Sequence, residues 1–242
     1  MIYVIPMAGR GSRTKPLGEF KPFIEINGHK ILSWFISSMK HNINPEDAFV
    51  LITTQYFHDT FNFEEETKKI FLQHELKNNL FYISTDGTPK GSTETIIFAE
   101  KYINKDEPVA IVNPDQYVDF DMPETIENNS GYLGLYLNYG EKTGFVRIED
   151  GLIQQFIERK NISNIASSGI FVCSSGKSLI EAGKKQLDLE TDQDGEYYIG
   201  PTFNYLIEDG FKVHPIIVRC KYDLGTVDNI ALFSSRKFNC LI

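Results

Sequence analysis

Four apolar residues in succession, Val109-Ala110-Ile111-Val112, run straight into Asn113-Pro114-Asp115, and this stretch constrains the fold more than any other. Side chains of a strand alternate between its two faces, so a strand apolar at every position is buried on both. Such a sheet needs a layer of helices on each side, and the first half of the chain supplies the alternation. Tyr3-Val4-Ile5, Ala48-Phe49-Val50-Leu51-Ile52 and Leu80-Phe81-Tyr82-Ile83 read as further buried strands. Ile31, Trp34, Phe35 and Met39 recur at i, i+3, i+4 and i+8, the stripe of an amphipathic helix. Residues 59–78 read as helical with a weak apolar period. Ile96, Ala99 and Ile103 mark one face of a helix that the hydroxyls of Lys90-Gly91-Ser92-Thr93 can cap. Strand–helix–strand units in this rhythm imply parallel pairing.

The second half changes character. Gly144-Phe145-Val146-Arg147-Ile148 and Leu152-Ile153-Gln154-Gln155-Phe156 flank Glu149-Asp150-Gly151, and Asp-Gly is a strong hairpin signal because the primed turn needs positive φ. A strand at 168–172, a helix near 176–187, a helix over 196–208 broken early by Gly200-Pro201, and a strand from Lys212 to Val218 follow. The turn Tyr222-Asp223-Leu224-Gly225-Thr226 then leads into a last helix. No repeat or flexible linker divides the 242 residues, so one α/β domain with a mixed sheet and an inserted antiparallel portion is expected.

Charge and motif content exclude several functions. With 24 Lys+Arg against 33 Asp+Glu the net charge is −9, and no basic cluster offers a footprint for a nucleic-acid polymer. No apolar stretch approaches the ~18–20 residues that span a bilayer, and the opening segment is too short for a signal core, so no membrane partner is expected. Cys173, Cys220 and Cys240 form no Cys-x-x-Cys pair, which points to a reducing, cytoplasmic setting. There is no Gly-x-Ser-x-Gly or His-Glu-x-x-His, and the five histidines make no ligand-spaced pair. Asp192-Gln193-Asp194-Gly195 lacks the rest of a calcium loop and reads as a capped turn.

Ligands of open α/β sheets sit beyond the carboxyl ends of the strands, and three features fall there. Ala8-Gly9-Arg10-Gly11-Ser12-Arg13 follows the first strand and can form either a tight turn or a nest of amides for an anion. It lacks the third glycine of a dinucleotide fingerprint and is no P-loop. Lys21 follows, either as a surface charge or as a site cation. Asp115 follows the strand at 109–112, where a carboxylate can hold Mg²⁺ or shape a turn. Asp223 offers a second carboxylate, and the two converge only if their strands are neighbours. Asp119 and Asp121 read as turn residues of a polar exit loop.

Together these residues resemble a known pattern. Ile5-Pro6-Met7-Ala8-Gly9-Arg10-Gly11-Ser12-Arg13 followed by Lys21-Pro22-Phe23-Ile24-Glu25-Ile26-Asn27-Gly28 is similar to the signature of the sugar-phosphate nucleotidyltransferases. Gly91-Ser92-Thr93, Asn113-Pro114-Asp115-Gln116, Glu158-Arg159-Lys160, Gly195-Glu196-Tyr197-Tyr198 and Tyr222-Asp223-Leu224-Gly225-Thr226 fall in that family's order. The last resembles its Trp-x-Asp-x-Gly-Thr motif. The chain departs from the pattern in a short segment between Arg13 and Lys21, and at Phe20, where Pro is common. Asn113-Pro114 stands where Gly-Asp is commoner, and Arg159 where Lys is expected.

The resemblance implies a GT-A-like Rossmannoid three-layer sandwich, α/β, with a mixed, mostly parallel central sheet and an inserted antiparallel hairpin region. It implies a nucleotide-binding half over 1–122, an acceptor-binding half over 123–242, and no second, appended activity. The implied reaction moves NMP from an NTP to a small phosphorylated acceptor and releases pyrophosphate with Mg²⁺. Ala8, Gly9, Gly11, Ser12, Arg13, Gly91, Ser92 and Thr93 would bind the nucleotide, with Arg13 and Lys21 catalytic. Asp115 and Asp223 would hold the metal, and Gly144, Glu158, Arg159 and Glu196 would meet the acceptor. Acceptors of such enzymes range from hexose 1-phosphates to polyol and aminoalcohol phosphates such as phosphocholine. CTP or UTP/dTTP is the favoured donor, a surface-polysaccharide precursor the expected product, and a homodimer an allowed assembly. Two competing readings carry over. One is a GT-A glycosyltransferase using Asp119-Phe120-Asp121 as a metal motif, and the other is a non-catalytic nucleotide-binding paralogue.

Overall fold

Alternation along the first strands decides which helices lie on which face. In the computed structural model, which describes residues 1–140 and 143–236, β1 (Ile2–Pro6) sends Tyr3 and Ile5 to one side and Val4 to the other. A long loop and a two-residue hairpin, β2 (Glu25–Ile26) and β3 (His29–Lys30), lead into α1 (Ile31–Met39). Then come β4 (Ala48–Thr54), α2 (Gln55–Thr60), α3 (Phe63–Gln73) and β5 (Asn79–Thr85). Asn62, left-handed at φ 46°, splits the 59–78 stretch into two helices, which is why its apolar period is weak. The helix expected on Ile96, Ala99 and Ile103 is also two, α4 (Ser92–Ile97) and α5 (Glu100–Ile103).

The run at 109–112 is β6 (Val109–Val112), with every side chain buried. β7 (Gln116–Phe120), β8 (Ser130–Leu137), β9 (Gly144–Glu149), β10 (Leu152–Glu158) and β11 (Ile165–Cys173) follow. Asp150 and Gly151, at φ 50° and 77°, make the expected β9–β10 turn. The chain continues through α6 (Gly176–Asp188), α7 (Ile199–Glu208), β12 (Lys212–Asp223) and α8 (Val227–Ser234). Cys240 and the rest of 237–242 lie outside the described residues. No described helix is long and apolar enough to cross a membrane.

One mixed sheet of ten described strands runs β5-β4-β1-β6-β11-β8-β12-β10-β9, with β7 paired to β12. Parallel pairing is confined to β5-β4-β1-β6 and to β8–β12, and the other pairings are antiparallel. On one face Tyr3, Ile5, Phe49 and Leu51 pack under Leu32, Phe35, Phe63 and Phe71 of α1 and α3. On the other, Val4, Val50, Ile52 and Ile111 pack under Ile96, Leu179, Ile180 and Phe203 of α4, α6 and α7. Each such side chain contributes roughly 1.5–3 kcal/mol by leaving water.

A third apolar cluster positions the site. Ile24, Ile26, Ile31 and Trp34 meet Tyr117, Leu224, Ile230 and Phe233, which binds the β2–β3 hairpin to the end of β12 and to α8. Trp34 donates its indole N–H to the Ile26 carbonyl at 2.9 Å. β12 corrects the expectation of a strand ending at Val218. After Ile217 it leaves β8 and pairs with β7 from Val218 onward, through a bulge between Val218 and Cys220, setting Tyr222 opposite Tyr117 and Asp223 opposite Gln116.

Candidate active site

Six consecutive backbone amides, those of residues 8–13, donate to no protein acceptor among the described residues. They lie between the end of β1 and a turn fixed by Thr14, whose amide and hydroxyl both donate to the Gly11 carbonyl at 3.0 Å. Gly11 is left-handed at φ 58°, which curls the loop so that successive N–H groups face one side. Gly9, Ser12 and Arg13 are exposed, and Ala8 is buried beneath them. Neither Arg10 nor Arg13 has a carboxylate partner within 4.0 Å among the described residues. The loop therefore offers unengaged amides and arginine charge to an anion.

Phe20, the departure from the resembled pattern, fixes where the loop ends. Its ring is 2% exposed and lies 4.8 Å from Phe23, 4.8 Å from Phe57 and 5.4 Å from Phe61. That anchor places Lys21 on the site side, where Nζ donates to Asp115 Oδ2 at 2.7 Å with each side chain about a quarter exposed (23% and 25%). Burial raises the Asp115 carboxyl pKa, but the neighbouring Lys21 charge overrides this and holds it below the usual carboxylate range. Lys21 and Asp115, named separately from the sequence, act as one unit.

Asp223 joins them through Gly225. The Leu224 amide donates to the Asp115 carbonyl at 2.8 Å, and the Gly225 amide to Asp223 Oδ1 at 2.7 Å. A Cβ on Gly225 would stand 2.8 Å from Asp223 Oδ1 and 3.2 Å from Asp115 Oδ2, so those oxygens are no more than 6.0 Å apart, the sum of the two. The missing side chain leaves the gap between the carboxylates open. Asp223 Oδ2 accepts from Asn229 at 3.1 Å, which orients the group.

The segment at 90–93 behaves differently from expectation. Gly91 lies so close to the next layer that a Cβ would be 2.3 Å from the Tyr197 carbonyl oxygen. Ser92 does not cap its own helix, because its hydroxyl accepts from the Ile199 amide at 2.9 Å. Thr93 is 1% exposed, with its hydroxyl donating to Gln186 at 3.0 Å and its amide to Tyr197. The Thr93 hydroxyl and amide thus knit α4 to α6, α7 and the segment before α7.

On the expected acceptor side, a cavity of about 130 Å³ is lined by Phe156, Glu158, Gln186, Glu196, Tyr198 and Pro201, among others. Gly144 is buried against the Phe156 ring and abuts Glu158, whose Oε2 would lie 2.8 Å from a Cβ there. Burial pushes the Glu158 carboxyl up to about 7, with Arg159 opposing and Glu196 reinforcing the rise. Arg159, in a left-handed backbone at φ 56°, is already engaged. It pairs with Asp194 at 3.0 Å, approaches Glu196 at 4.0 Å and stacks on Tyr198 with its guanidinium 5.2 Å from the ring.

Asp119 and Asp121 also depart from expectation. Asp119 lies on a strand, and Arg219 of β12 binds both carboxylates. Those hydrogen bonds hold both acids below their usual range, and Asp119-Phe120-Asp121 is a surface ion-pair cluster with no carboxylate free for a metal. The partner charge, Arg219, carries no signal in sequence because it lies on a strand a hundred residues away.

Comparison with known proteins bears on the family and the fold. A family model described as nucleotidyl transferase matches residues 3–236. The bifunctional protein GlmU of Acetivibrio thermocellus is 27% identical over 249 residues, which cover 96% of this chain and 50% of that protein. The chain thus spans about half the length of that curated relative. Among solved structures, a nucleoside-diphosphate-sugar pyrophosphorylase from Vibrio cholerae is similar at TM-score 0.80 and 22% identity, covering 98% of this chain and all of the other. A UDP-glucose pyrophosphorylase complexed with UDP-glucose follows at TM-score 0.74 and 18% identity, covering 96% of each chain.

Proposed function

The chain belongs to the nucleotidyl transferase family, and from that premise we propose that it transfers NMP from an NTP to the phosphate of a small acceptor, releasing pyrophosphate. The acceptor class is a sugar 1-phosphate or a similar polyol or aminoalcohol phosphate. A pyrimidine nucleotide is the favoured donor, supported by the uridine nucleotide in the solved relative. The product serves as a precursor for surface polysaccharide or glycoconjugate. Residues 1–122 supply the nucleotide side and 123–242 the acceptor side. The single observation that carries the reading is the meeting of Asp115 and Asp223 at Gly225, beside the Lys21 ammonium and the loop of unengaged amides.

The two carboxylates suit Mg²⁺. Both are hard oxygen donors facing one gap, and Lys21 already seats a positive charge against Asp115. Mg²⁺ sites usually take one or two carboxylates together with water and phosphate oxygens, which matches the two carboxylates here. Asp115 and Asp223 would hold the ion, which would supply Lewis-acid neutralisation of phosphate charge.

The chain's own residues do the rest. The amides of Gly9, Gly11 and Ser12, with Arg13, bind the β- and γ-phosphates that depart, and Lys21 offsets charge near the α-phosphate. An acceptor phosphate oxygen attacks the α-phosphorus in line as the bond to pyrophosphate breaks. No side-chain base is required, because a phosphate monoester is anionic at neutral pH. Catalysis is therefore positioning and charge neutralisation. Glu158 and Glu196 accept hydrogen bonds from acceptor hydroxyls or an ammonium. Arg13, Lys21, Asp115 and Asp223 are all present, which argues against a non-catalytic paralogue. The engagement of Asp119 and Asp121 by Arg219 removes the metal motif that a glycosyltransferase reading needs. Pyrophosphate release, measured for each NTP against a panel of sugar and polyol phosphates with Mg²⁺, is the test. Asp115→Ala is expected to lose Mg²⁺-dependent release while keeping its circular dichroism, and retained release would overturn the metal assignment.

A further inference from the structure

This inference rests on the proposed reaction and concerns a cation that no motif marks. Lys221 lies on β12 two residues before Asp223, so the two side chains leave the strand on the same face. It stands where the resembled Trp-x-Asp-x-Gly-Thr motif carries Trp. Its ammonium lies over the Tyr136 ring, 4.7 Å from the centroid, and the Tyr136 hydroxyl accepts from Asn138 at 3.1 Å, which steadies the ring. Sheet register carries the same place to the acceptor side. Tyr136 of β8 pairs with Ala166 of β11, Ala166 with Phe145 of β9, and the adjacent Gly144 with Glu158 of β10. Lys221 thus stands between the Asp115–Asp223 pair and the Glu158 cavity. Its charge acts on both ends, favouring the ionised form of Asp115 and of Glu158.

Arg10 and Arg13 sit on the amide loop at the nucleotide end, and the remaining cations around the carboxylates and the cavity are engaged. Lys21 is 2.7 Å from Asp115, Arg159 is held by Asp194 and Tyr198, and Arg219 is bound by Asp119 and Asp121. Lys221 is half-buried and has no carboxylate within 4.0 Å among the described residues. A cation over an aromatic face keeps its N–H donors on the far side for an oxygen ligand.

We propose that Lys221 binds the phosphate monoester of the acceptor and holds it for attack, while Arg159 braces the 192–198 turn. The prediction is read from Lys221→Met, Lys221→Arg and Arg159→Met, with KM for acceptor and for NTP measured separately by pyrophosphate release. A charge-assisted hydrogen bond to phosphate is worth about 10–100-fold in binding. Lys221→Met should raise the acceptor KM by about that factor and leave the NTP KM within about twofold. Lys221→Arg should recover most of the loss, and Arg159→Met should weaken the acceptor less than Lys221→Met. An acceptor KM unchanged in a Lys221→Met protein of normal thermal midpoint overturns the assignment, as does an equal rise in the NTP KM. If Lys221→Met fails to fold, Lys221→Gln takes its place under the same criteria. Absence of release by the wild type with every pair would sink the proposed reaction instead. Equilibrium binding of inorganic phosphate then decides Lys221: binding at least about fivefold weaker in the Met or Gln variant sustains it, and equal binding overturns it.

Discussion

Adding one methyl group at Gly225 tests the proposed metal site without altering either carboxylate. The new Cβ would lie 2.8 Å from Asp223 Oδ1 and 3.2 Å from Asp115 Oδ2. Ordinary contacts begin near ~3.5 Å, so the first oxygen must retreat by roughly 0.7 Å and the second by roughly 0.3 Å. Asp223 Oδ1 cannot swing freely, because the Gly225 amide donates to it at 2.7 Å. The backbone of Gly225 is not left-handed, so alanine meets no left-handed penalty there. The fold should therefore lose only the ~1–2 kcal/mol of a local overpacking. The reaction should lose more, since a misplacement approaching 1 Å costs up to ~10²-fold in rate. Gly225→Ala is expected to lower kcat/KM by about 10–100-fold and to move half-saturation by Mg²⁺ upward. Pyrophosphate release titrated against Mg²⁺, alongside thermal unfolding, reads both effects. A variant with wild-type Mg²⁺ dependence and rate would refute the claim that the two carboxylates serve one ion.

Glu158→Gln should reveal the cost of ionising a carboxyl in the cavity. The wild-type group is raised from 4.5 to about 7 on folding, so the folded state binds its proton more tightly than the unfolded chain. Its contribution is fully present below pH 4.5, falls as pH rises toward 7, and is lost above it. The variant should gain about 1–2 kcal/mol on wild type across that window, after allowance for solvent screening, and a flat difference in denaturant titrations would reject it. Gly91→Ala would force a Cβ to within 2.3 Å of the Tyr197 carbonyl and part the bonds of Tyr197 to Lys90 and Thr93. A loss of at least ~2–3 kcal/mol, roughly 4–12 °C in midpoint for a chain of this size, is expected, and a midpoint within ~2 °C of wild type would contradict the packing.

Local pattern revealed those parts of the molecule whose partners are also local or whose burial is complete. Val109–Val112 announces itself because every position is apolar, and Asp150-Gly151 because its turn demands positive φ. Asp115 and Asp223 could be named as candidates, yet their convergence depends on β7 lying against the far end of β12. Neither stretch looks like a strand in isolation. Asp119 within β7 and Arg219 within β12 break the apolar pattern because both face solvent, where they pair with each other. Thr93 shows the reverse case: a hydroxyl in a binding motif is consumed by Gln186 and Thr202, residues far along the chain. Lys221 escaped notice because a single lysine on a polar strand carries no mark. Only the Tyr136 ring beneath it and the absence of a nearby carboxylate among the described residues give it meaning.

The β7–β12 ribbon stitches the first half of the chain to its end, and the two acids at its seam come one from each half. Ownership of the site is thereby divided. A fragment ending near residue 122 would carry the amide loop, Lys21 and Asp115, while the complementary fragment would carry Asp223, Lys221 and Glu158. Neither is a reduced enzyme that further evolution could improve alone. A change to the region around Glu158 and Arg159 that preserves this seam leaves the junction at Gly225 intact, whereas a change at the seam disturbs both halves at once.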